Sequence, residues 1–201
     1  GNGLVAENDK IYVMIADKLV TGWQNVDGKW VYADPTTKEV QTGEFTVSGL
    51  SYTADENGVV VKGAWVTDAK GTKYSYGPEF YKREWVEIEG NTYYFDENCY
   101  MYTGVRAIAV NRNNIKEGYK FYEFQADGIL VREMLDSSGI MTDSATGIKY
   151  WVQNGISVYG GLMYIDGDYY YARTSGELVC GKTYWITKNN DLLPVANYSF
   201  D

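Results

Sequence analysis

Histidine is absent from this 201-residue sequence, and cysteine and proline occur only two and three times. The lack of histidine removes the commonest general base, the usual base of catalytic triads and the commonest metal ligand. Two cysteines, Cys99 and Cys180, are too few for a disulfide scaffold, and no C-x-x-C pair offers a zinc or redox site. We therefore predict a protein that is not an enzyme and that needs no cofactor and no metal.

Positive charge and long apolar runs are also scarce. Lysine and arginine number 18 against 27 acidic residues, which gives a net charge of −9. Nucleic acids and anionic lipid head groups require a basic surface, and a membrane helix requires about 18 consecutive apolar residues. We therefore expect no nucleic-acid partner and no membrane span. No signal peptide is visible and the chain stops within a repeat, so we expect a fragment of a longer secreted protein.

Carboxylates are numerous enough for a glycosidase-type acid pair on residue types alone. Most of them, however, lie in turn sequences such as Asp55-Glu56 and Asp96-Glu97, where aspartate stabilises the turn itself. An enzyme would need two carboxylates converging in a cleft, and this remains the least favoured alternative.

Glycine and aromatic residues are abundant, with 22 glycines and an aromatic fraction of 16%. Residues Trp85–Ile88 and Tyr93–Phe95 form two short runs of aromatic and β-branched type, separated by a Glu-Gly-Asn break. This arrangement predicts a tight β-hairpin. A single hairpin is marginal in water, so neighbours of the same kind are needed to cover its aromatic face.

The unit recurs with a period near 20 residues. Gly22 to Gly43 spans 21 positions, and Gly43 to Gly63 and Gly161 to Gly181 each span 20. A fixed period of this size predicts a repeat array in which each unit stacks on the next. The fold class predicted is all-β, a solenoid of stacked antiparallel β-hairpins. Turns are predicted at Asp27-Gly28, Gly49, Gly71, Glu89-Gly90 and Asp166-Gly167.

Four segments follow from this pattern. Residues 1–21 lack the repeat and are expected to cap the array, with a strand at Ile11–Ile15. Residues 22–104 form a first hairpin block, 105–117 an irregular connection, and 118–201 a second block.

The pattern W-x(4)-G-x-x-Y-Y-F-D…G at Trp85 to Gly104 resembles the bacterial cell-wall-binding repeat. This family occurs in choline-binding surface proteins, glucan-binding regions of glucansucrases and the tails of glucosylating toxins. The resemblance covers roughly residues 22–181, and it implies a hairpin solenoid used for attachment rather than catalysis.

In the choline-binding branch, the resemblance implies an aromatic cage for the ligand ammonium, held by cation–π attraction. Trp23 and Trp30 match the two positions that one hairpin contributes, and Phe45 lies one residue out of register at the third. These three residues are the predicted ligand site. Packing of the same rings as a hydrophobic core is the alternative, and stacking against sugar rings is the broader form of the binding hypothesis.

We therefore predict a non-catalytic attachment module of a secreted bacterial protein, located at the cell surface or cell wall. Its expected partners are cell-wall polysaccharide, teichoic acid choline or another glycan. A structural spacer or protein-interaction stalk is the alternative. A binder should leave some aromatic rings exposed to solvent, whereas a spacer should bury them all.

Overall fold

The computed structural model describes residues 2–201, and 54% of the chain is β-strand. The only helical segment in this range is one 3-10 turn at Ile115–Glu117, and nothing in it could cross a bilayer as a helix. The chain divides into two compact units. The first comprises the residues up to 86 together with Tyr94–Met101, and the second comprises Glu87–Tyr93 and Tyr102–Asp201.

The first twelve strands are short, and most are joined in antiparallel pairs by two-residue turns. They are β1 (Gly3–Glu7), β2 (Lys10–Ile15), β3 (Lys18–Val20), β4 (Gly22–Val26), β5 (Lys29–Ala33), β6 (Gly43–Val47), β7 (Leu50–Ala54), β8 (Val60–Lys62), β9 (Ala64–Asp68), β10 (Gly71–Ser75), β11 (Glu84–Ile88) and β12 (Asn91–Phe95). The boundary between the two units falls within the β11–β12 hairpin.

The remaining strands follow the same plan with longer connections. They are β13 (Gly104–Ala109), β14 (Tyr119–Phe124), β15 (Leu130–Glu133), β16 (Gly139–Thr142), β17 (Lys149–Gln153), β18 (Ile156–Ser157), β19 (Gly161–Ile165), β20 (Asp168–Ala172), β21 (Lys182–Trp185) and β22 (Asn197–Phe200). The strands pair antiparallel, for example β4 with β5 and β19 with β20. The predicted all-β fold of antiparallel hairpins is confirmed.

Four of the five predicted turns lie where the sequence placed them, and the fifth lies earlier in the chain than predicted. Asp27-Gly28 has φ values of 51° and 80°, the left-handed pair that matches the twist of a two-residue hairpin. Gly49, Glu89-Gly90 and Asp166-Gly167 also lie in tight turns. At Gly71 the prediction was one residue out, because the turn is Ala69-Lys70 and Gly71 already pairs with Asp68.

The N-terminal segment continues the hairpin architecture although its sequence lacks the repeat signature. The strand expected at Ile11–Ile15 is present as β2 (Lys10–Ile15), and it pairs with β1 on one side and β3 on the other. The first turn, Asn8-Asp9, has both residues at positive φ without any glycine. Asparagine and aspartate tolerate that conformation, which explains why the hairpin forms there.

In unit 1, small apolar side chains on one face of successive hairpins form a core. Val13, Val31 and Ala33 are fully buried, and Val40 joins them from the loop before β6. Because residues on one strand face alternate with those on the other, this leaves the Trp23 and Tyr32 row on the opposite face of the β4–β5 hairpin.

In unit 2, the segment 105–117 begins as strand β13, which pairs along its whole length with β14. Only the residues from Val110 to Gly118 connect the two strands, and they include the 3-10 turn. Asp143 is hydrogen-bonded to strand β13. Its carboxylate accepts hydrogen bonds from the Ala107 amide (2.9 Å) and the Arg106 Nε (3.2 Å).

Cys99 and Cys180 are both free thiols. Cys99 has a φ of 71°, a left-handed conformation, in a turn whose counterpart at Asp55–Gly58 ends in glycine. Two free thiols agree with the sequence analysis.

Candidate functional site

Four aromatic rings from two consecutive hairpins of unit 1 form a cluster. Trp23 meets Tyr32 edge-on across the β4–β5 pair, with ring centroids 5.1 Å apart. It reaches the next hairpin through Tyr52 (5.0 Å) and Phe45 (6.0 Å). Phe45 also stacks on Tyr32 and on Tyr52, in both cases at 5.8 Å. These distances and tilts are those of favourable aromatic pairs.

The Tyr52 hydroxyl is fixed at the base of this cluster. It lies 2.8 Å from the Ser75 hydroxyl and donates to the Gly77 carbonyl at 3.3 Å, while the Ser75 hydroxyl donates to the same carbonyl at 2.9 Å. Tyr52 and Ser75 are buried, so each polar group has a partner inside the protein.

Trp30 packs against the backbone at Gly77 rather than against the other predicted site residues. A side chain at Gly77 would have its Cβ only 3.0 Å from the Trp30 Cγ. The Gly77 carbonyl accepts a hydrogen bond from the Tyr52 hydroxyl. Trp30 therefore packs beside the residue whose carbonyl orients Tyr52.

The loop that carries Gly77 is stabilised by its own aromatic pair. Tyr76 stacks on Tyr81 with centroids 4.1 Å apart, and the Tyr76 hydroxyl donates to the Glu79 carboxylate at 3.1 Å. Burial and the neighbouring Glu79 carboxylate together raise the pKa of Tyr76 to about 12. Tyr76 is therefore protonated at neutral pH and keeps donating this bond.

A groove of about 300 Å³ opens beside the cluster. Its lining consists of Glu44, Phe45, Thr46, Ser51, Tyr52, Thr53, Lys62 and Gly63. Phe45 and Tyr52 line it from their strand positions, but their rings lie on the opposite face of the β6–β7 hairpin from the side chains of Glu44, Thr46, Ser51 and Thr53. The other side chains provide one carboxylate, one ammonium group and three hydroxyls, and a volume of this order is at the lower end of ligand sites.

The groove exists because small polar residues replace rings at matching positions. Counted from the turn, Ser51 has the position in β7 that Trp30 has in β5. In the same way, Thr53 corresponds to Tyr32. Loss of these two large side chains leaves open surface on this face of the β6–β7 hairpin.

Of the predicted site residues, Trp23 and Phe45 are in ring contact, and Trp30 packs beside Gly77. Among the residues that the structure describes, no ring contact joins Trp30 to either partner. Sequence reasoning missed Tyr32 and Tyr52 as cluster members. Counting outward from the Asp27-Gly28 turn places Tyr32 directly opposite Trp23, so that pair was available as a signal.

Several other rings are exposed to solvent. Trp65 and Trp85 are 38% and 39% exposed, and Trp185 is 54% exposed. In unit 2, Tyr164 and Tyr169 face each other across β19 and β20 with centroids 4.8 Å apart, and both are exposed. A chain that buried all its aromatic residues would show none of these surfaces.

Comparison with protein families gives a match in two places. The model of the cell wall binding repeat matches residues 21–35 and 84–98, which are the β4–β5 and β11–β12 hairpins with their flanking residues. These two segments are cell wall binding repeats. The resemblance seen in the sequence is confirmed at these positions.

Two curated proteins with similar sequences are very large. Glucosyltransferase-S of Streptococcus mutans is 27% identical over 161 residues, which cover 77% of this chain and 10% of that protein. Toxin A of Clostridium novyi is 27% identical over 103 residues, covering 46% of this chain and 5% of the toxin. The chain thus spans a tenth or less of the length of these relatives.

Solved structures also align with the chain, at low similarity. An alternansucrase in complex with isomaltononaose aligns over 98% of this chain and 18% of its own, with 19% identity and a TM-score of 0.38. Choline binding protein F from Streptococcus pneumoniae aligns over 92% of this chain and 80% of its own, with 20% identity and a TM-score of 0.28.

Proposed function

We propose that this chain is a non-catalytic attachment module that binds a glycan through the groove at Phe45 and Tyr52. The observation that carries the proposal is the groove itself, where a carboxylate, an ammonium group and three hydroxyls line an open space. Sugars carry several hydroxyls that need hydrogen-bond partners of these kinds. The cell wall binding repeats support the same role.

The spacing of the rings favours a glycan over an isolated ammonium ion as ligand. Trp23 and Phe45 are 6.0 Å apart and tilted by 51°, so they already contact each other. A cation held by both ring faces needs room between them, within about 6 Å of each centroid. With Trp30 packed on Gly77, the remaining rings of the cluster contact one another. Choline therefore enters the proposal as a competitor to be tested.

The parent protein is proposed to be a secreted or surface-attached bacterial protein. The two large relatives are a glucosyltransferase and a toxin, and the chain matches only a small part of each of them. We infer that any catalytic activity belongs to other parts of such a protein and that this chain supplies attachment to cell-wall polysaccharide, choline-bearing teichoic acid or another glycan.

The test is retention of the purified chain on two insoluble probes, cross-linked dextran and isolated streptococcal cell wall. We expect retention on at least one of them and elution by the corresponding soluble sugar. Glu44→Gln removes the carboxylate, and loss of a charged hydrogen bond corresponds to about tenfold weaker binding.

The matched control is Glu56→Gln, which removes the same charge from an exposed residue outside the groove. It should bind as the unmodified chain does. Elution from cell wall by free choline, unaffected by Glu44→Gln, would contradict the groove as the site. Absence of retention on both probes would instead favour the spacer.

A further inference from the structure

A second pocket lies in unit 2, and its charge is opposite to that of the chain as a whole. The pocket has a volume of about 240 Å³. Its lining residues are Thr146, Gly147, Ile148, Lys149, Arg173, Glu177, Leu178, Cys180 and Lys182. The lining thus contains three cationic side chains and one carboxylate, in a protein of net charge −9.

The two lysines of this pocket have no ion-pair partner among residues 2–201. Lys149 and Lys182 are both exposed at the rim. Arg173 pairs with Glu177 through one N–H of its guanidinium group. Its Nε is buried and has no hydrogen-bond partner within the described chain. The Arg173 side chain as a whole keeps 28% of its surface exposed, although the Nε itself is enclosed.

The turn that carries Arg173 departs from the other turns of the chain. At the corresponding position, Asp34, Asp55, Asp96 and Asp143 each use one carboxylate oxygen to accept two backbone N–H groups of their own loop. An arginine cannot make these bonds, because it has no acceptor. The turn Arg173–Glu177 has the Ser175 hydroxyl accepting the Glu177 N–H at 3.4 Å instead. It is also closed by the Arg173–Glu177 ion pair and by the backbone bond from the Arg173 amide to the Glu177 carbonyl at 2.9 Å.

The backbone brings the cations together from separate strands. The Leu178 amide donates to the Lys149 carbonyl at 2.8 Å, and Tyr150 and Glu177 form an isolated β-bridge. This pairing sets the 173–177 turn beside the start of β17, and Lys182 opens β21 close by. The charges therefore come from rigid backbone positions.

We propose that this pocket is an anion site for a phosphate group, on an anionic polymer or on a small phosphate ester. A phosphate offers three or four oxygens in a tetrahedral arrangement, which suits three cations approaching from different strands. Arginine and lysine are the usual partners of such oxygens. This site is independent of the glycan groove, which lies in unit 1.

The experiment is calorimetric titration of the full chain at low ionic strength with inorganic phosphate, with glycerol 3-phosphate and with poly(glycerol phosphate). Acetate serves as the carboxylate probe. We expect phosphate-dependent heat that falls as salt is added, because charged contacts are screened. Tighter binding of the polymer than of both small probes would assign the site to a polymer, and equal binding would assign it to small phosphates.

Arg173→Asp is the decisive variant, because it restores the carboxylate used by the equivalent turns and is therefore expected to fold. It should bind phosphate at least tenfold more weakly, a change equivalent to about one charged hydrogen bond. Lys182→Gln should weaken binding as well, whereas Lys116→Gln, an exposed lysine outside the pocket, should not. Phosphate binding that Arg173→Asp leaves unchanged, no phosphate heat at all, or stronger binding of acetate would overturn the proposal. Each of these results leaves the glycan test unaffected.

Discussion

Two glycines with the same backbone conformation allow the packing between repeats to be measured. Gly28 has φ of 80° and Gly58 has φ of 78°. An added Cβ would meet nothing within 4 Å at Gly28, whereas at Gly58 it would lie 2.1 Å from the Val40 Cγ1 and 3.3 Å from the Gln41 carbonyl oxygen. Alanine at either position suffers the same left-handed strain, so the difference between them reports the contact alone.

The expected magnitudes follow from these two situations. Left-handed strain costs about 1–2 kcal/mol, and the lower entropy of the unfolded alanine chain offsets about 0.4–1 kcal/mol of it. Gly28→Ala should therefore lower the free energy of unfolding by about 1 kcal/mol. Val40 is 6% exposed and belongs to a packed core, so it has little room to move. Overpacking there adds about 1–3 kcal/mol for Gly58→Ala.

The assay is urea unfolding followed by tryptophan fluorescence, with the slope of free energy against urea compared between variants. A larger loss for Gly58→Ala at unchanged slope is the expected result. Equal losses for the two variants would refute the packing of the 55–58 turn onto the residues before β6, and with it the account of how successive hairpins of unit 1 hold together.

Three further predictions concern single residues. Cys99→Gly should raise the free energy of unfolding in urea by about 0.5–1 kcal/mol, because it relieves a left-handed φ of 71°, and an unchanged or lower value would contradict this. Asp143→Ala should lower the free energy of unfolding by about 3–5 kcal/mol, because it leaves the largely buried Arg106 without its partner. Asp143→Asn should lower it by less. Equal losses for the two variants in urea unfolding would show that the charge of Asp143 is unimportant. Burial opposes ionisation of Asp143, but amide hydrogen bonds and Arg106 hold its pKa below the usual range, so its contribution should be lost only as pH falls through that lowered value. Burial and Glu79 raise the pKa of Tyr76 to about 12. The free energy of unfolding should therefore fall as pH rises from about 10 to 12. Tyr76→Phe should flatten this decline when unfolding is measured against pH.

The periodicity of the sequence was sufficient to predict the hairpins because each turn has its own local signal. Asp27-Gly28 and Glu89-Gly90 combine a residue that tolerates positive φ with a glycine, and both are tight turns. The Asn8-Asp9 turn lacks glycine and lies outside the repeat signature, so the first hairpin was predicted only as a single strand. Gly71 was assigned to the turn itself because glycine also favours the position that follows a type I turn.

The candidate site was predicted less completely, because it depends on contacts between distant residues. The proximity of Trp23 and Phe45 follows from the stacking of consecutive repeats. Trp30 packs against Gly77, which lies 47 positions further along in a loop with no repeat signature. The groove depends on what is missing at Ser51, where a ring would otherwise fill the space, and a pattern search for aromatic residues passes over such a position.

The central claim is that the groove beside Phe45 holds a glycan, and the most direct measurement is a binding isotherm on cross-linked dextran and on cell wall. The unmodified chain, Glu44→Gln and the Glu56→Gln control should be compared with their folds verified by circular dichroism. The account predicts saturable binding that Glu44→Gln weakens and Glu56→Gln does not. Binding of equal strength in all three folded proteins would contradict it.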